Sequence, residues 1–297
     1  MRIIKPEDVT VDTLTATNVP ADDYPAWAAG TYAEGDRVID GIEAYESLTA
    51  NNTDTIEAGL AATPPTWLRL GFINRWKMFR DGRDSKTRQD GGITVQLTPG
   101  IVTNGIALLG MEGLEVDVTM TDPTEGVVFD RTFVIRDIGV TNIWDYFFLP
   151  YGTRSDFVAL DLPPYDAATI EIDVRTSNPG DTSAAGRVLL GVVRDLGTTD
   201  HDLQVRWINF SDINRNPFGD LQLTKRRRVK LVTYPITVER ANSDFAISEL
   251  DSVTNELSVF VGDEDVSASI TFGLPRRPQV TFSNPAVTDM SIEVEEF

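Results

Sequence analysis

Residues 89–215 form a succession of short apolar segments separated by glycine and proline turns. In residues 114–118, for example, three apolar residues alternate with the charged residues Glu115 and Asp117. Because successive side chains of a strand point to opposite faces, this pattern is typical of strands with one buried face. Many short strands at this spacing predict an antiparallel β-sandwich domain over residues 89–215. The predicted strands span residues 92–97, 106–109, 114–120, 127–129, 132–135, 144–149, 156–160, 168–174 and 187–193.

Residues 216–297 are predicted to form a C-terminal β-rich domain. Long helical periodicity is missing along the whole chain, and no internal repeat of about 20 to 50 residues stands out. The predicted fold class is therefore all-β, with a small aromatic β-meander followed by antiparallel β-sandwich-like domains. The strand candidates of the C-terminal domain span residues 229–232, 236–238, 257–261, 268–272, 278–282 and 290–297.

The predicted strand at residues 144–149 contains a run of aromatic residues, which are Trp144, Tyr146, Phe147 and Phe148. Aromatic side chains bury large apolar areas and dominate protein cores. We therefore expect these four rings to belong to the core of the sandwich rather than to a ligand site.

The predicted meander occupies residues 24–81. The pair Asp40 and Gly41 is typical of a two-residue hairpin turn, and it separates predicted strands at residues 37–39 and 42–48. A third strand is predicted at residues 67–70, and residues 72–79 form either a strand or a short helical turn. A core this small is marginal alone, so we expect the meander to dock on the rest of the chain or on a neighbouring subunit.

Two further segments are predicted to lie outside the compact domains. Residues 1–23 are expected to be an extended N-terminal arm, in which Ile3 and Ile4 could add an edge strand and Pro6 and Pro20 are breakers. Such an arm either reaches over a neighbouring subunit or is a frayed terminus. The polar, turn-rich residues 81–88 are predicted to be a linker.

The meander resembles the small chitin-binding-type carbohydrate-binding modules in the order of its residues. The match consists of Trp27, Tyr32, a Gly-Asp-x-Val segment at residues 35–38, Tyr45 and Trp67. The family stacks sugar rings on aromatic faces, and the resemblance implies that Trp27, Tyr45 and Trp67 occupy the sugar-binding positions. Asp40 stands where the family usually has another aromatic residue.

Four segments of the chain resemble a family of structural proteins from tailed bacteriophages. The segments are residues 1–25, 74–81, 186–199 and 216–228. The resemblance implies a virion protein of the tail or baseplate, made in the host cytoplasm, that assembles with itself and with other tail or baseplate proteins. It could also anchor receptor-binding fibres. The alternative is a carbohydrate-binding adhesion protein that contacts host surface glycans through Trp27, Tyr45 and Trp67.

Composition limits the other functional classes. Lysine and arginine number 26 against 46 aspartates and glutamates, which gives a formal charge of −20. Because phosphate contacts need positive surface, we expect no general nucleic-acid binding. Cysteine is absent, so disulfides and thiolate metal sites are excluded. No apolar run approaches the about 20 residues of a membrane span, so we expect no membrane insertion.

Catalytic and metal-binding motifs are not apparent. The one histidine, His201, lies between two aspartates, and we expect a polar loop residue there because no partner nucleophile motif or second histidine exists. The acidic residues 263–265 lack the spacing of a calcium-binding loop. We therefore expect no enzyme activity, no cofactor and no metal site.

One basic run stands out in this acidic chain. It consists of Lys225, Arg226, Arg227 and Arg228. We predict that these residues form ion pairs with the acidic face of a partner subunit, or that they are simply solvated.

Overall fold

A computed structural model of the protein describes residues 1–80, 85–137, 143–148, 152–215, 219–282 and 284–297. Strands dominate the described ranges, helices are short, and the strand pairs are antiparallel. The predicted all-β fold class is therefore confirmed. The predicted linker at residues 81–88 falls partly outside the described ranges, at residues 81–84.

The strands of the first half of the chain begin near the N-terminus and continue to Thr153. They are β1 (Arg2–Glu7), β2 (Leu14–Thr17), β3 (Arg37–Asp40), β4 (Glu43–Ser47), β5 (Trp67–Phe72), β6 (Thr87–Asp90), β7 (Ile93–Leu97), β8 (Gly105–Leu109), β9 (Glu115–Asp122), β10 (Gly126–Val134), β11 (Arg136–Asp137) and β12 (Gly152–Thr153).

The second half includes the longest strands of the protein. They are β13 (Phe157–Ala159), β14 (Thr169–Arg175), β15 (Thr182–Ala185), β16 (Arg187–Asp195), β17 (Thr198–Thr199), β18 (Gln204–Asn209), β19 (Asp212–Arg215), β20 (Leu221–Thr224), β21 (Arg228–Glu239), β22 (Ser258–Val261), β23 (Ile270–Thr281) and β24 (Val287–Glu296).

Short helices connect some of these strands. They are α1 (Ile56–Ala61), α2 (Asn74–Arg80), α3 (Ile143–Phe148) and α4 (Ser243–Ser252), with single 3-10 turns at Arg240–Asn242 and Ser267–Ser269. No helix within the described ranges has the length and apolar character needed to cross a membrane.

The largest sheet of the described ranges has ten strands. Its order is β13-β8-β16-β1-β22-β23-β24-β21, and β21 pairs along its outer edge with both β17 and β18. Strands from both sides of residue 216 hydrogen-bond into this one sheet, because β1 joins β16 to β22. The predicted boundary at residue 216 therefore does not separate two sheets.

Strand β1 lies in the middle of the ten-stranded sheet. Ile3 lies opposite Arg194 of β16 on one side and Phe260 of β22 on the other. Ile3 and Ile4 are 1% and 0% exposed, so both faces of β1 are covered. The expectation of a detached arm or an edge strand at the N-terminus is therefore wrong for residues 2–7. Two adjacent apolar residues are typical of a strand that is buried on both faces.

A five-stranded sheet, β10-β9-β14-β7-β2, packs against strands β13, β8 and β16 of the larger sheet. Residues of both sheets share one hydrophobic cluster, in which the ring centroids of Phe133 and Phe157 lie 5.3 Å apart. Val116 and Val118, on the alternating segment of β9, are both 0% exposed. Two antiparallel sheets therefore pack face to face, and the smaller one includes β2 from outside residues 89–215.

The aromatic run at residues 144–148 differs from its prediction. It forms helix α3 rather than a strand, and Trp144 and Phe147 are 67% and 68% exposed. The expectation that these two rings lie in the core is wrong, because the segment belongs to the excursion between β11 and β12 rather than to either face of the sandwich. The side chains of Tyr146 and Phe148, and residue 149 of the predicted strand, lie outside the described part of the chain.

Candidate functional site

The predicted meander is present as the three-stranded sheet β3-β4-β5. Strands β3 and β4 form a hairpin in which Asp40 lies opposite Glu43, and Gly41 takes a φ of 62° in the turn. The turn residues are therefore Gly41 and Ile42, one position later than the predicted pair. Trp67 begins β5 and lies opposite Ser47 of β4, which confirms the predicted third strand.

The interior of this small sheet is a compact aromatic cluster. Trp67 is 1% exposed and Tyr45 is 8% exposed, and the Tyr32 ring meets the Trp67 ring edge-on at a centroid distance of 5.2 Å. The indole nitrogen of Trp67 donates a hydrogen bond to the main-chain oxygen of Asp54 over 3.0 Å. Helix α1, capped by the Thr55 hydroxyl, covers the same cluster.

The structure thus brings Trp27, Tyr45 and Trp67 together, but inside the sheet unit rather than on its surface. Tyr45 and Trp67 are buried core residues, and the half-buried Trp27 packs against them. Sugar binding by stacking needs ring faces that a ligand can reach. In this arrangement the rings of Tyr45 and Trp67 form part of the hydrophobic core of the three-stranded sheet.

A polar group borders the cluster and consists of Glu43, Tyr45 and Arg69. Arg69 binds the carboxylate of Glu43 with two nitrogens, at 2.7 and 2.5 Å, and the Tyr45 hydroxyl donates to the same carboxylate over 2.7 Å. The hydrogen bond from Arg69 lowers the pKa of Glu43. Burial, followed by the hydrogen bond to Glu43, raises the pKa of Tyr45 to about 12. The geometry favours a structural ion pair at the edge of the aromatic core.

Helix α2 attaches the meander to the sandwich. Its residues Trp76, Met78 and Phe79 are buried in the sandwich core cluster, which also includes Ile39 and Ala44 of the meander. The expected docking of the meander on the rest of the chain is therefore confirmed. Of the two alternatives for residues 72–79, the structure has the helix for residues 74–80.

The predicted partner-interface residues lie on a long two-stranded ribbon. We call residues 204–215 and 219–230 the ribbon; it contains β18, β19, β20 and the start of β21. The pairing runs from Gln204 opposite Thr233 to Arg215 opposite Leu221. At the junction the main-chain nitrogen of Phe210 donates to the oxygen of Arg227 over 3.3 Å. In the part of the chain that the structure describes, β19 and β20 pair with no other strand.

The basic run is exposed on this ribbon. Lys225, Arg226, Arg227 and Arg228 all present their side chains to solvent, and none of them forms an ion pair within the described ranges. The nearby Lys230 differs, because it is buried and donates to the main-chain oxygen of Ile270 over 2.6 Å.

The ribbon also exposes large apolar side chains, which the sequence reasoning missed. Trp207 is 61% exposed, Phe210 53%, Leu221 63% and Leu223 56%. On β18 the residues from Arg206 to Asn209 are all exposed, so both faces of this strand are open. The sequence contains Trp207, Ile208 and Phe210 close together, but this pattern also fits a buried strand, and their position beside the basic run arises only from strand pairing.

Within the described ranges, no group of three or more histidine, aspartate or glutamate side chains is arranged to hold a metal ion. Comparisons of the chain with protein-family models, with curated proteins and with solved structures found no match.

Proposed function

We propose that the chain is a structural component of a tailed-phage virion, in the tail or baseplate, that joins subunits and could anchor fibres. The four segments that resemble phage structural proteins support this role. The observation that carries it is the ribbon, which presents Trp207, Phe210, Leu221 and Leu223 beside a basic run.

The exposed surface of the ribbon has the properties of a protein–protein interface. A two-stranded hairpin that buries little apolar area is marginally stable in water. Exposed large apolar side chains and an open strand edge favour association with another chain. Tryptophan and arginine are also the residue types that most often dominate interface energies. These properties favour a ribbon that is covered by another subunit in an assembly.

The buried positions of Tyr45 and Trp67 favour this role over the alternative of a sugar-binding adhesion protein. The alternative would be supported if the chain bound to a glycan array and if Trp27→Ala abolished this binding without changing the thermal unfolding midpoint. We expect no binding above background.

The most direct test of the proposed function is to locate the protein in purified phage particles. Mass spectrometry of purified phage particles should detect the chain at a fixed ratio to the major tail protein, and cryo-electron microscopy should place it in the tail or baseplate. A chain found only in the infected cell and absent from washed particles would contradict the proposed function.

A variant pair makes the same test specific for the ribbon. Leu221→Ser with Leu223→Ser changes two exposed leucines of β20, and the matched control changes the exposed leucines Leu68 and Leu70 of β5. Both variants should fold, because the four side chains are 41–63% exposed. The ribbon variant should be depleted from particles at least about tenfold, and the control should be incorporated normally. Equal incorporation of both variants would show that the ribbon is not the assembly surface.

A further inference from the structure

We propose that the ribbon of one copy docks into an acidic cleft on the body of a second copy, so that the chains associate head to tail. This inference rests on the proposed assembly role and names the partner of the ribbon as the chain itself.

Charge is divided unevenly between the ribbon and the rest of the chain. Residues 204–215 and 219–230 together contain seven lysines and arginines and two aspartates, a formal charge of +5. The remaining 273 residues therefore hold a formal charge of −25, since the whole chain is −20. Two ribbons would repel each other, whereas a ribbon and the body of another copy attract. Charge thus favours a contact between unlike surfaces.

The acidic cleft lies beside the C-terminal end of β16. It consists of two adjoining cavities of about 500 and 570 Å³ that share Asp195, Gly197 and Thr198. Its carboxylates are Asp195, Glu239, Asp263, Glu264 and Asp265. Its positive groups are Arg2, Arg131 and the amino group of Met1, which donates to the oxygen of Gly197.

Most carboxylates of the cleft form no ion pair within the described ranges, although Asp195 interacts electrostatically with the amino group of Met1. Glu264 pairs with Arg2 at 2.5 Å, and Arg131 lies 3.9 Å from Asp161, outside the cleft. Within the described ranges the other four carboxylates form no ion pair, and neither do the four residues of the basic run. The ribbon therefore presents unpaired cations, and the cleft presents unpaired anions.

The basic run lies far from the Thr237 end of the cleft within one copy. Arg228 begins β21, and Thr237, nine residues further along the same strand, lines the cleft. At about 3.3 Å per residue, an extended strand holds them about 30 Å apart. This end of the cleft is therefore open to the ribbon of another copy. A single contact of this kind is heterologous and builds a ring or a filament, whereas a reciprocal exchange of two ribbons closes a two-fold dimer.

The test uses the purified full chain and sedimentation velocity. The wild-type chain should self-associate, and raising the ionic strength from about 0.1 M to about 1 M should weaken the association, because the screening length falls from about 10 Å to about 3 Å. A chain that stays monomeric at every concentration and salt would overturn the inference.

Complementation then separates head-to-tail docking from pairing between ribbons. The ribbon variant is Arg226→Glu with Arg227→Glu, and the cleft variant is Asp263→Lys with Asp265→Lys. Each alone should lose at least about tenfold in self-association, because each places like charges in the contact. Mixed, they should associate again, because an intact ribbon meets an intact cleft and the reversed ribbon and reversed cleft again carry opposite charges.

Arg136→Glu is the matched control, because Arg136 is an exposed arginine outside the ribbon and the cleft. It should associate like the wild type, and unchanged thermal unfolding should verify the fold of every variant. A cleft variant that still self-associates like the wild type would overturn the inference in favour of ribbon-to-ribbon pairing. Detection of the chain in phage particles is a separate result: a monomeric chain found in particles would contradict the head-to-tail contact and leave the virion role intact.

Discussion

The indole nitrogen of Trp67 donates a hydrogen bond to the main-chain oxygen of Asp54 over 3.0 Å. The ring that makes this bond is 1% exposed, so Trp67 anchors both the sheet and the loop before α1. Trp67→Ala should therefore destabilise the meander by about 3–5 kcal/mol through lost burial and the cavity left behind. Denaturant unfolding followed by tryptophan fluorescence measures this loss. The control is Trp207→Ala on the ribbon, which should cost under about 0.5 kcal/mol, because a substitution at an exposed position seldom costs more.

Gly59 lies against the same ring, and its lack of a side chain is a packing requirement. A Cβ at this position would fall 2.3 Å from Cδ1 of Trp67 and 2.4 Å from the Thr66 hydroxyl oxygen. Gly59→Ala should therefore lower stability, although alanine is favoured by about 1 kcal/mol over glycine inside a helix. Gly30→Ala is the control, because its Cβ would meet one atom only, at 3.8 Å. Equal melting temperatures for the two variants would contradict this packing.

The stability of the meander should depend on pH through Tyr45. Burial first, and then the hydrogen bond to Glu43, raises its pKa to about 12, against about 10 in the unfolded chain. The folded state thus holds the phenol proton more tightly, so this contribution is complete below about pH 10 and is lost as pH rises through about 12. Tyr45→Phe should flatten the fall in stability over that range.

Spectroscopic titration checks the same prediction directly. The difference in tyrosinate absorbance between wild type and Tyr45→Phe should show a transition near pH 12. The pKa of the buried Tyr234 is also raised, so the subtraction is needed to isolate Tyr45. A transition near pH 10 in the difference spectrum would contradict the buried environment.

The central position of β1 makes Ile4 a stability residue for the whole sheet. Its side chain is 0% exposed and belongs to a hydrophobic cluster with Leu189 and Val259. Ile4→Ala should cost about 2–5 kcal/mol. Val11→Ala, at a position that is 65% exposed, should cost little. If the two variants unfold at the same denaturant concentration, the N-terminal segment is not a core strand.

Several local elements could be predicted from the sequence because their signals are short-range. The alternation in β9, the Gly41 turn and the third strand at Trp67 all depend on neighbours within a few residues. The aromatic cluster was also predictable as a set, since Trp27, Tyr45 and Trp67 are large apolar residues in one small unit. The burial of each individual ring was not predictable, because it depends on the packing of α1 and on the pairing of β5 with β4.

The errors came from segments whose role depends on distant partners. Helix α3 has a strand-like aromatic composition, yet Trp144 and Phe147 are exposed, and the helix belongs to the excursion between β11 and β12. Adjacent apolar residues are exposed on β18 of the ribbon but buried on β1, although the two segments have similar sequence patterns.

By itself, the sequence determined the all-β class, the hairpin of the meander and the surface position of the basic run, because side-chain alternation, turn residues and charge act locally. The tertiary structure alone decided that β1 lies between β16 and β22, and that β18 is exposed from Arg206 to Asn209. The physical reason is the sequence separation of the pairing partners. Residues 2–7 pair with residues 190–195 and 259–261, and no local pattern encodes which distant strand will supply those hydrogen bonds.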